Sequence, residues 1–300
     1  MPHRRARRRT GRLPIVAATA ALIASASGAI SQQASLLPTP PAADALPGLP
    51  TGNLLAMPEG VRVSVGAMGV MLPKYEGSKS YQFTALPVFQ FRPLVADGGL
   101  GAPSSFDARN LDDLSVAVIK HSGFEFGPLA GWRLGRAEKD SPRLVGLGDI
   151  DGGLVAGAYA KYDFGPAFVR ASFHQHVTGS DTGSLVRLAL GTRYALHPAV
   201  VLKADATVDF ASDDYMAAYF GVTAAQSARS GLRAFDAGAG LKSVGGTLGT
   251  EYALTEDWKL LATVGYTRLL GDAANSPIIE TADRYEARLG ASRSFDWRLR

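Results

Sequence analysis

The stretch "PAVVLKADATVDF", residues 198–210, alternates between two kinds of side chain. One set of alternate positions is apolar and comprises Val200, Leu202, Ala204, Ala206, Val208 and Phe210. The other set is mixed and comprises Val201, Lys203, Asp205, Thr207 and Asp209. Successive side chains of a strand point to opposite faces, so this period of two predicts a β-strand with one apolar and one polar face.

The same alternation recurs along the chain in similarly long runs, for example at 166–177, 184–196, 257–269 and 284–295. These runs are about twice as long as the usual strand of a soluble sheet. They are long enough for a tilted transmembrane strand, which needs about 9–11 residues. Aromatic residues stand near the ends of the runs, as in the interfacial girdles of membrane barrels. These residues are Tyr194, Phe210, Trp258, Tyr266 and Tyr285.

A large soluble β-sandwich would also alternate in this way. The long runs, an export signal and a polar face rich in glycine and small residues favour a barrel instead. We therefore predict an all-β fold, an antiparallel transmembrane β-barrel of about 12 strands, with ten and fourteen as alternatives because single-chain bacterial barrels take even numbers. The predicted strands include 215–223 and two separate strands at 234–244 and 246–254.

The N-terminus has the three parts of a secretory signal. "HRRARRRTGR" is positively charged, Leu13–Ala24 is apolar, and Ala24-Ser25-Ala26 fits an A-x-A cleavage site. The apolar run is too short for a membrane-spanning helix, so residues 1–26 are predicted to be a cleaved signal peptide. Residues 27–59 are rich in proline and small residues and are predicted to be a flexible periplasmic lead-in. The barrel is then expected at 60–300.

The basic balance of the chain comes from the signal segment. The formal charge of +4 falls by six, to −2, when the six arginines among the first twelve residues are left out. Nucleic-acid binding needs a basic face on the folded domain, so no nucleic-acid partner is expected. The chain has no cysteine, which excludes disulfides and thiolate metal sites.

The charged residues of the mixed faces are candidates for the lining of a barrel lumen. These are Arg170, Arg187, Arg193, Lys203, Asp205 and Asp209. His174 and His176 share a strand face, but no third metal ligand can be placed beside them. "GDIDGG", residues 148–153, shares Asp-x-Asp-Gly with calcium loops but lacks the closing glutamate. We therefore predict no metal and no cofactor.

Ser172 and His174 also share a strand face, as a serine nucleophile and its base would. The sequence offers no G-x-S-x-G elbow, and no third member of a triad can be assigned. No catalytic residue is predicted.

"LPKYEGSKSYQFTALPVFQFR", residues 72–92, places Tyr75 and Glu76 in a turn between Pro73, which fixes the backbone, and Gly77, which relaxes it. Pro87 has no N–H for a ladder and predicts a bulge or a kink at the rim of the wall. This stretch resembles the N-terminal signature of the MipA/OmpV family of outer-membrane proteins, in which a strand ends in a Pro-x-Tyr-x-Gly-Ser turn. Further blocks resemble the family in order along residues 60–295: "GPLAGWRLGR" (127–136), "GLGDID" (146–151), "DDYMAAYFGVTAAQSARSGL" (213–232), "AGLKSVGGTLGTEYALTEDWKL" (239–260) and "YTRLLGDAANSPII" (266–279).

The resemblance implies a protein of the outer membrane of a Gram-negative bacterium, in contact with outer-membrane lipid. It further implies a scaffold that joins a murein transglycosylase to a murein synthase. A narrow channel for small solutes is the alternative, and a lipid-modifying enzyme is a distant third. One departure concerns the C-terminus, where family barrels usually end on an aromatic residue. Here five residues follow Phe295, so the terminal signal is expected to be displaced or the extension to hang free.

Overall fold

The computed structural model describes residues 60–94, 106–180 and 182–298. The predicted signal peptide and lead-in, residues 1–59, lie outside the described residues. The sheet is built from the strands β1 Gly60–Pro73, β2 Tyr81–Leu94, β3 Phe106–Asn110, β4 Asp113–Val116, β5 Ile119–His121, β6 Phe124–Arg133, β7 Gly153–Phe164, β8 Ala167–His176, β9 Ser184–His197, β10 Val200–Ala211, β11 Gly240–Ala253, β12 Trp258–Leu269 and β13 Asp283–Arg298. Three helices are α1 Asp213–Phe220, α2 Ala224–Ser230 and α3 Gly271–Asn275. None of these helices has the length and apolarity needed to cross a bilayer.

All strand pairs are antiparallel, and most strands pair with the next strand in sequence; β2 and β3, and β4 and β5, are the exceptions among the described strands. β4 and β5 both pair with β6, so together they occupy one position, and the described strands make a wall of twelve positions. The first strand pairs with the last along most of its length, from Gly60 opposite Arg298 to Met71 opposite Ala287. The two edge strands, β2 and β3, have Cα atoms within 8 Å of each other, although no ladder joins their described residues. The sheet thus curls into the predicted antiparallel β-barrel.

Burial is inverted relative to a soluble protein. Large apolar side chains on the outer face are exposed, including Leu190, Leu202, Leu248, Val264 and Leu289. Polar side chains on the inner face are buried, including Ser64, Arg170, Ser172, His174 and Asp209. Exposed apolar surface of this extent would aggregate in water, and it suits a wall whose outer face contacts lipid.

The two ends of the barrel differ. At one end, two-residue turns join β7 to β8 and β9 to β10, and four residues join β11 to β12. At the other end lie the turn 74–80 and the long connections 134–152, 212–239 and 270–282, which we call the cap. Short turns face the periplasm in outer-membrane barrels and long loops face the exterior. By this rule the cap is expected at the exterior end, and the start of β1 and the end of β13 at the periplasmic end.

The cap is a packed structure with its own apolar core, which sequence periodicity did not reveal. Of residues 215–223, which were predicted as a strand, 215–220 belong to helix α1 instead. Ser212 caps this helix by accepting a hydrogen bond from the Tyr215 N–H, and two aspartates follow in the first turn, where they favour the helix dipole. The buried side chains of α1 recur at helical spacing: Tyr215, Met216, Tyr219 and Phe220.

Other local predictions also needed correction. The two predicted strands 234–244 and 246–254 are replaced by the single strand β11, Gly240–Ala253, because the glycines at 245 and 246 stay in register with their partners. Residues 234–239 belong to the cap connection. Pro87 causes no bulge, and pairs with Ala67 in an unbroken register. β2 is an edge strand, where a missing N–H need not interrupt a ladder.

The segment after Phe295 does not hang free. β13 runs on to Arg298, and the Arg62 guanidinium donates to both carboxylate oxygens of Asp296 at 2.5 and 2.6 Å.

Candidate functional site

The tip of the β3–β4 hairpin, residues 110–113, enters the lumen. Arg170 of β8 donates to both carboxylate oxygens of Asp113, at 2.5 and 2.7 Å. Arg288 of β13 donates to the side-chain oxygen of Asn110 at 3.0 Å. β8 is three positions from β4, and β1 and β2 lie between β13 and β3, so the tip meets both arginines across the interior.

The Arg170–Asp113 pair is almost completely removed from solvent. Only 3% of the Arg170 side chain and 0% of the Asp113 side chain are exposed. Ser115 accepts a further hydrogen bond from Arg170 at 3.3 Å, and the guanidinium lies 4.5 Å from the centre of the Tyr159 ring. These contacts satisfy both charges, as a buried ion pair requires.

A second chain of charges runs from the lumen to the cap. Arg187 donates to Asp209 at 2.9 Å, and its guanidinium also lies 3.6 Å from the carboxylate of Asp112. The Lys242 ammonium lies 3.7 Å from Asp209 and donates to Glu76 at 2.7 Å. Opposite charges thus alternate from the hairpin tip to the turn that begins the cap.

The turn 74–80 holds Glu76 in place. Gly77 has φ +94°, and its carbonyl accepts from the N–H groups of Glu280 and Thr281 at 2.9 and 3.1 Å. Tyr75 is buried in an apolar cluster and donates to Glu280 at 3.1 Å. Burial, assisted by the nearby Glu280, raises the pKa of Tyr75 to about 12. The turn is therefore fastened to the β12–β13 connection on one side and to Lys242 on the other.

We expect Gly77→Val to destabilise the cap by about 1–3 kcal/mol. A Cβ at this position would overlap the Ile279 side chain, and φ +94° disfavours any L side chain. Trypsin cleavage of the folded protein in vesicles should become faster in the cap. Gly148→Ala is the control, because Gly148 also has positive φ but no atom lies within 4 Å of the place that an added Cβ would take. Equal effects of both changes would contradict the close-approach argument.

Glu76 should make the cap sensitive to acid. Burial alone would raise the pKa of the Glu76 carboxyl, but the Lys242 ammonium outweighs it and lowers the pKa below the ordinary value of 4.5. A lowered folded-state pKa contributes stability that is complete above the unfolded value and is lost as the pH falls through the folded value. We expect the temperature of cap opening to be constant above pH 5 and to fall below about pH 4. The Glu76→Gln variant should lack this part of the pH dependence, and an unchanged profile would contradict the assignment.

The six predicted lumen residues all lie on the inner face, but in two environments. Arg170, Arg187 and Asp209 belong to the packed network below the cap. Lys203 pairs with Glu251, with 29% and 25% of their side chains exposed, and Asp205 accepts from Thr247 at 3.4 Å. Arg193, nearest the short turns, is exposed. Whether these residues line a path for solutes stays a prediction.

The two histidines on β8 point to different surroundings. His176 Nδ1 lies 2.6 Å from the Ser180 carbonyl and 2.8 Å from the Thr182 hydroxyl, in the β8–β9 connection. His174 Nε2 lies 2.9 Å from the Ser172 hydroxyl, and its Nδ1 lies 3.0 Å from the backbone carbonyl of Asp112. No group of three potential metal ligands occurs among the residues that the structure describes.

The structure supplies the third partner that the sequence could not place for Ser172 and His174. The Asp112 carbonyl fixes the Nδ1–H tautomer of His174, which leaves Nε2 to accept from Ser172. The Asp112 carboxylate is farther away, at 4.0 Å. Only 3% of Ser172 and 0% of His174 are exposed, so a substrate has no access to the hydroxyl in this conformation. The arrangement serves to anchor the hairpin tip.

One buried cation of the cap was not anticipated. Arg136 is 5% exposed and donates to the Tyr219 carbonyl at 2.9 Å, beside the apolar clusters of the cap. Burial lowers the pKa of Arg136. A buried guanidinium bound to a carbonyl fixes helix α1 on the 134–152 connection, and no periodicity in the sequence signals such a contact.

The long antiparallel strands, the lipid-type outer face and the charged interior define an outer-membrane β-barrel. The chain matches the family described as "MltA-interacting protein MipA" over residues 65–295. It therefore belongs to that family, and its location is the outer membrane of a Gram-negative bacterium.

Several solved barrels are similar in structure, all at low identity. The translocator domain of the autotransporter NalP from Neisseria meningitidis is 12% identical, with 94% of this chain and 98% of that chain covered and a TM-score of 0.36. The NanC porin is 8% identical, with 77% and 100% covered and a TM-score of 0.38. OmpT of Vibrio cholerae is 10% identical, with 80% and 99% covered and a TM-score of 0.35. No curated protein matches the sequence.

Proposed function

We propose that this protein is a non-enzymatic scaffold that binds a murein transglycosylase of the MltA type and joins it to a murein synthase at the periplasmic end of the barrel. The observation that carries the proposal is the match to a family described by its interaction with MltA. The charged network below the cap is consistent with it, because a scaffold does not require an open path through the barrel.

Direct binding tests the scaffold. The mature protein, refolded into phosphatidylcholine vesicles, would be titrated with a purified MltA-type transglycosylase, with a purified murein synthase, and with both. We expect saturable binding of the transglycosylase and recruitment of the synthase to vesicles that carry the barrel. A form that begins at residue 60 tests whether the lead-in takes part. Absence of binding with both forms would overturn the proposal.

A narrow channel is the second candidate, favoured by the exposed Arg193 and the partly exposed Lys203–Glu251 pair near the short turns. Single-channel recording in planar bilayers separates the two functions. The scaffold predicts insertion without steady conductance. Stable, salt-dependent steps that change in the Arg187→Gln or Arg193→Gln variant would favour the channel.

A further inference from the structure

Three exposed arginines on the cap donate hydrogen bonds to backbone carbonyl oxygens and not to carboxylates. Arg143 donates to the Pro277 carbonyl through Nε at 2.9 Å and through a terminal nitrogen at 2.5 Å. Arg233 donates to the Asn275 carbonyl at 2.9 Å. Arg229 donates to the Gly146 carbonyl at 3.1 Å. We call Arg143, Arg229 and Arg233 the outer arginine patch.

The members of the patch are held close together. The carbonyls bound by Arg143 and Arg233 are two residues apart, which keeps these guanidinium groups within about 15 Å of each other. Arg229 is tied to residue 146, three positions from Arg143 along the chain. The cap core fixes these backbone segments, since Leu144, Leu147 and Ile278 share one buried cluster.

The positive charge of the patch is not neutralised within the described residues, where none of its members forms an ion pair. Several cap carboxylates are occupied by backbone amides instead. Glu138 accepts from the Gly148 N–H at 2.6 Å, Asp149 from the Glu138 N–H at 2.7 Å, and Asp272 from the Gly238 N–H at 3.0 Å. Carbonyl acceptors orient the guanidinium groups without cancelling their charge.

Such groups are suited to phosphate. A guanidinium has five N–H donors, and each member of the patch uses only one or two of them on its carbonyl. The remaining donors can make charge-assisted, bidentate contacts with phosphate oxygens. Because the side chains are already held in position, little conformational entropy is lost on binding.

We propose that the outer arginine patch binds the phosphate groups of an anionic glycolipid of the outer leaflet. The patch belongs to the cap, at the exterior end of a barrel embedded in the outer membrane. A glycolipid that carries several phosphates engages neighbouring cations at once, whereas a free phosphate engages only one or two. The proposal concerns the end of the barrel opposite to that proposed for the murein enzymes, so either one can fail alone.

The test measures binding of purified phosphorylated lipopolysaccharide to the mature protein refolded in neutral detergent. We expect the Arg143→Gln/Arg233→Gln variant to bind about tenfold more weakly than the wild type, and addition of Arg229→Gln to weaken binding further. The matched control is Arg193→Gln/Arg293→Gln, which removes two exposed arginines at the short-turn end. Lipopolysaccharide stripped of phosphate should not distinguish the patch variant from the wild type.

Several results would overturn the proposal. One is an equal loss in the control variant, which would indicate general charge attraction. Another is wild-type binding that is indifferent to removal of the phosphates. Full competition by millimolar inorganic phosphate would indicate a free-phosphate site. If the glutamine variant loosens the cap, as judged by trypsin cleavage, the Arg143→Lys/Arg233→Lys variant decides the question. It keeps both charges, so its loss of binding free energy should be at most half of the loss in the glutamine variant.

Discussion

Replacing Asp113 by alanine is expected to lower the free energy of unfolding by about 3–5 kcal/mol, the usual cost of removing one partner of a buried ion pair. The partners left to the Arg170 guanidinium, 3% exposed in the lumen, would be Ser115 and the Tyr159 ring among the residues that the structure describes. The hairpin tip would also lose one of its anchors on β8, keeping the contact of the Asp112 carbonyl with His174. Urea unfolding in phosphatidylcholine vesicles, followed by tryptophan fluorescence, measures the change.

The matched control breaks a similar ion pair that is more exposed to solvent. Glu251→Ala deletes the partner of Lys203, with both side chains about one quarter exposed, and should cost no more than about 1 kcal/mol. The double variant Asp113→Leu/Arg170→Met should recover most of the stability, because it removes both charges together. If Asp113→Ala costs no more than Glu251→Ala, the tip does not occupy the lumen as described.

Replacing Glu76 by alanine is expected to have the next largest effect, about 3 kcal/mol, concentrated in the cap. Of the described residues, Asp209 at 3.7 Å would be the charged partner left to the Lys242 ammonium, which is 6% exposed, and Tyr215 would lose the acceptor of its hydroxyl. Because the turn 74–80 joins the cap to the lumen network, the cap should open more often. Trypsin cleavage after Arg229 or Arg233, in the exposed part of the cap, should become at least tenfold faster, and brief conductance should appear in planar bilayers.

Two further variants make this prediction specific. Glu256→Ala removes an exposed glutamate from the β11–β12 turn and should change neither the cleavage rate nor the conductance. Glu76→Gln/Lys242→Met removes both charges and should restore slow cleavage. Fast cleavage in the double variant would show that the turn itself, and not the ion pair, holds the cap.

The polar positions of the wall were predictable one strand at a time, but their partners were not. Alternation places Arg170, Arg187 and Asp209 on one face of their strands. It does not give the register between β9 and β10, which sets Arg187 opposite Asp209. Nor does it give the path of the β3–β4 tip, because a two-residue connection has no periodicity of its own. Ser172 and His174 illustrate the same limit, since their third partner, Asp112, comes from a hairpin several positions away in the sheet.

The sequence by itself determined the class of wall, its approximate strand number and the turn that marks the family. This follows because a strand in lipid must show one apolar face along its whole length, so that every second residue has to be apolar and the pattern is visible in the sequence. Only the tertiary structure decided that Arg187, Asp209 and Lys242 form one charged network, that residues 213–220 form a helix, and that Glu76 reaches Lys242. These features depend on contacts between segments far apart in the chain, where burial and charge pairing override local pattern.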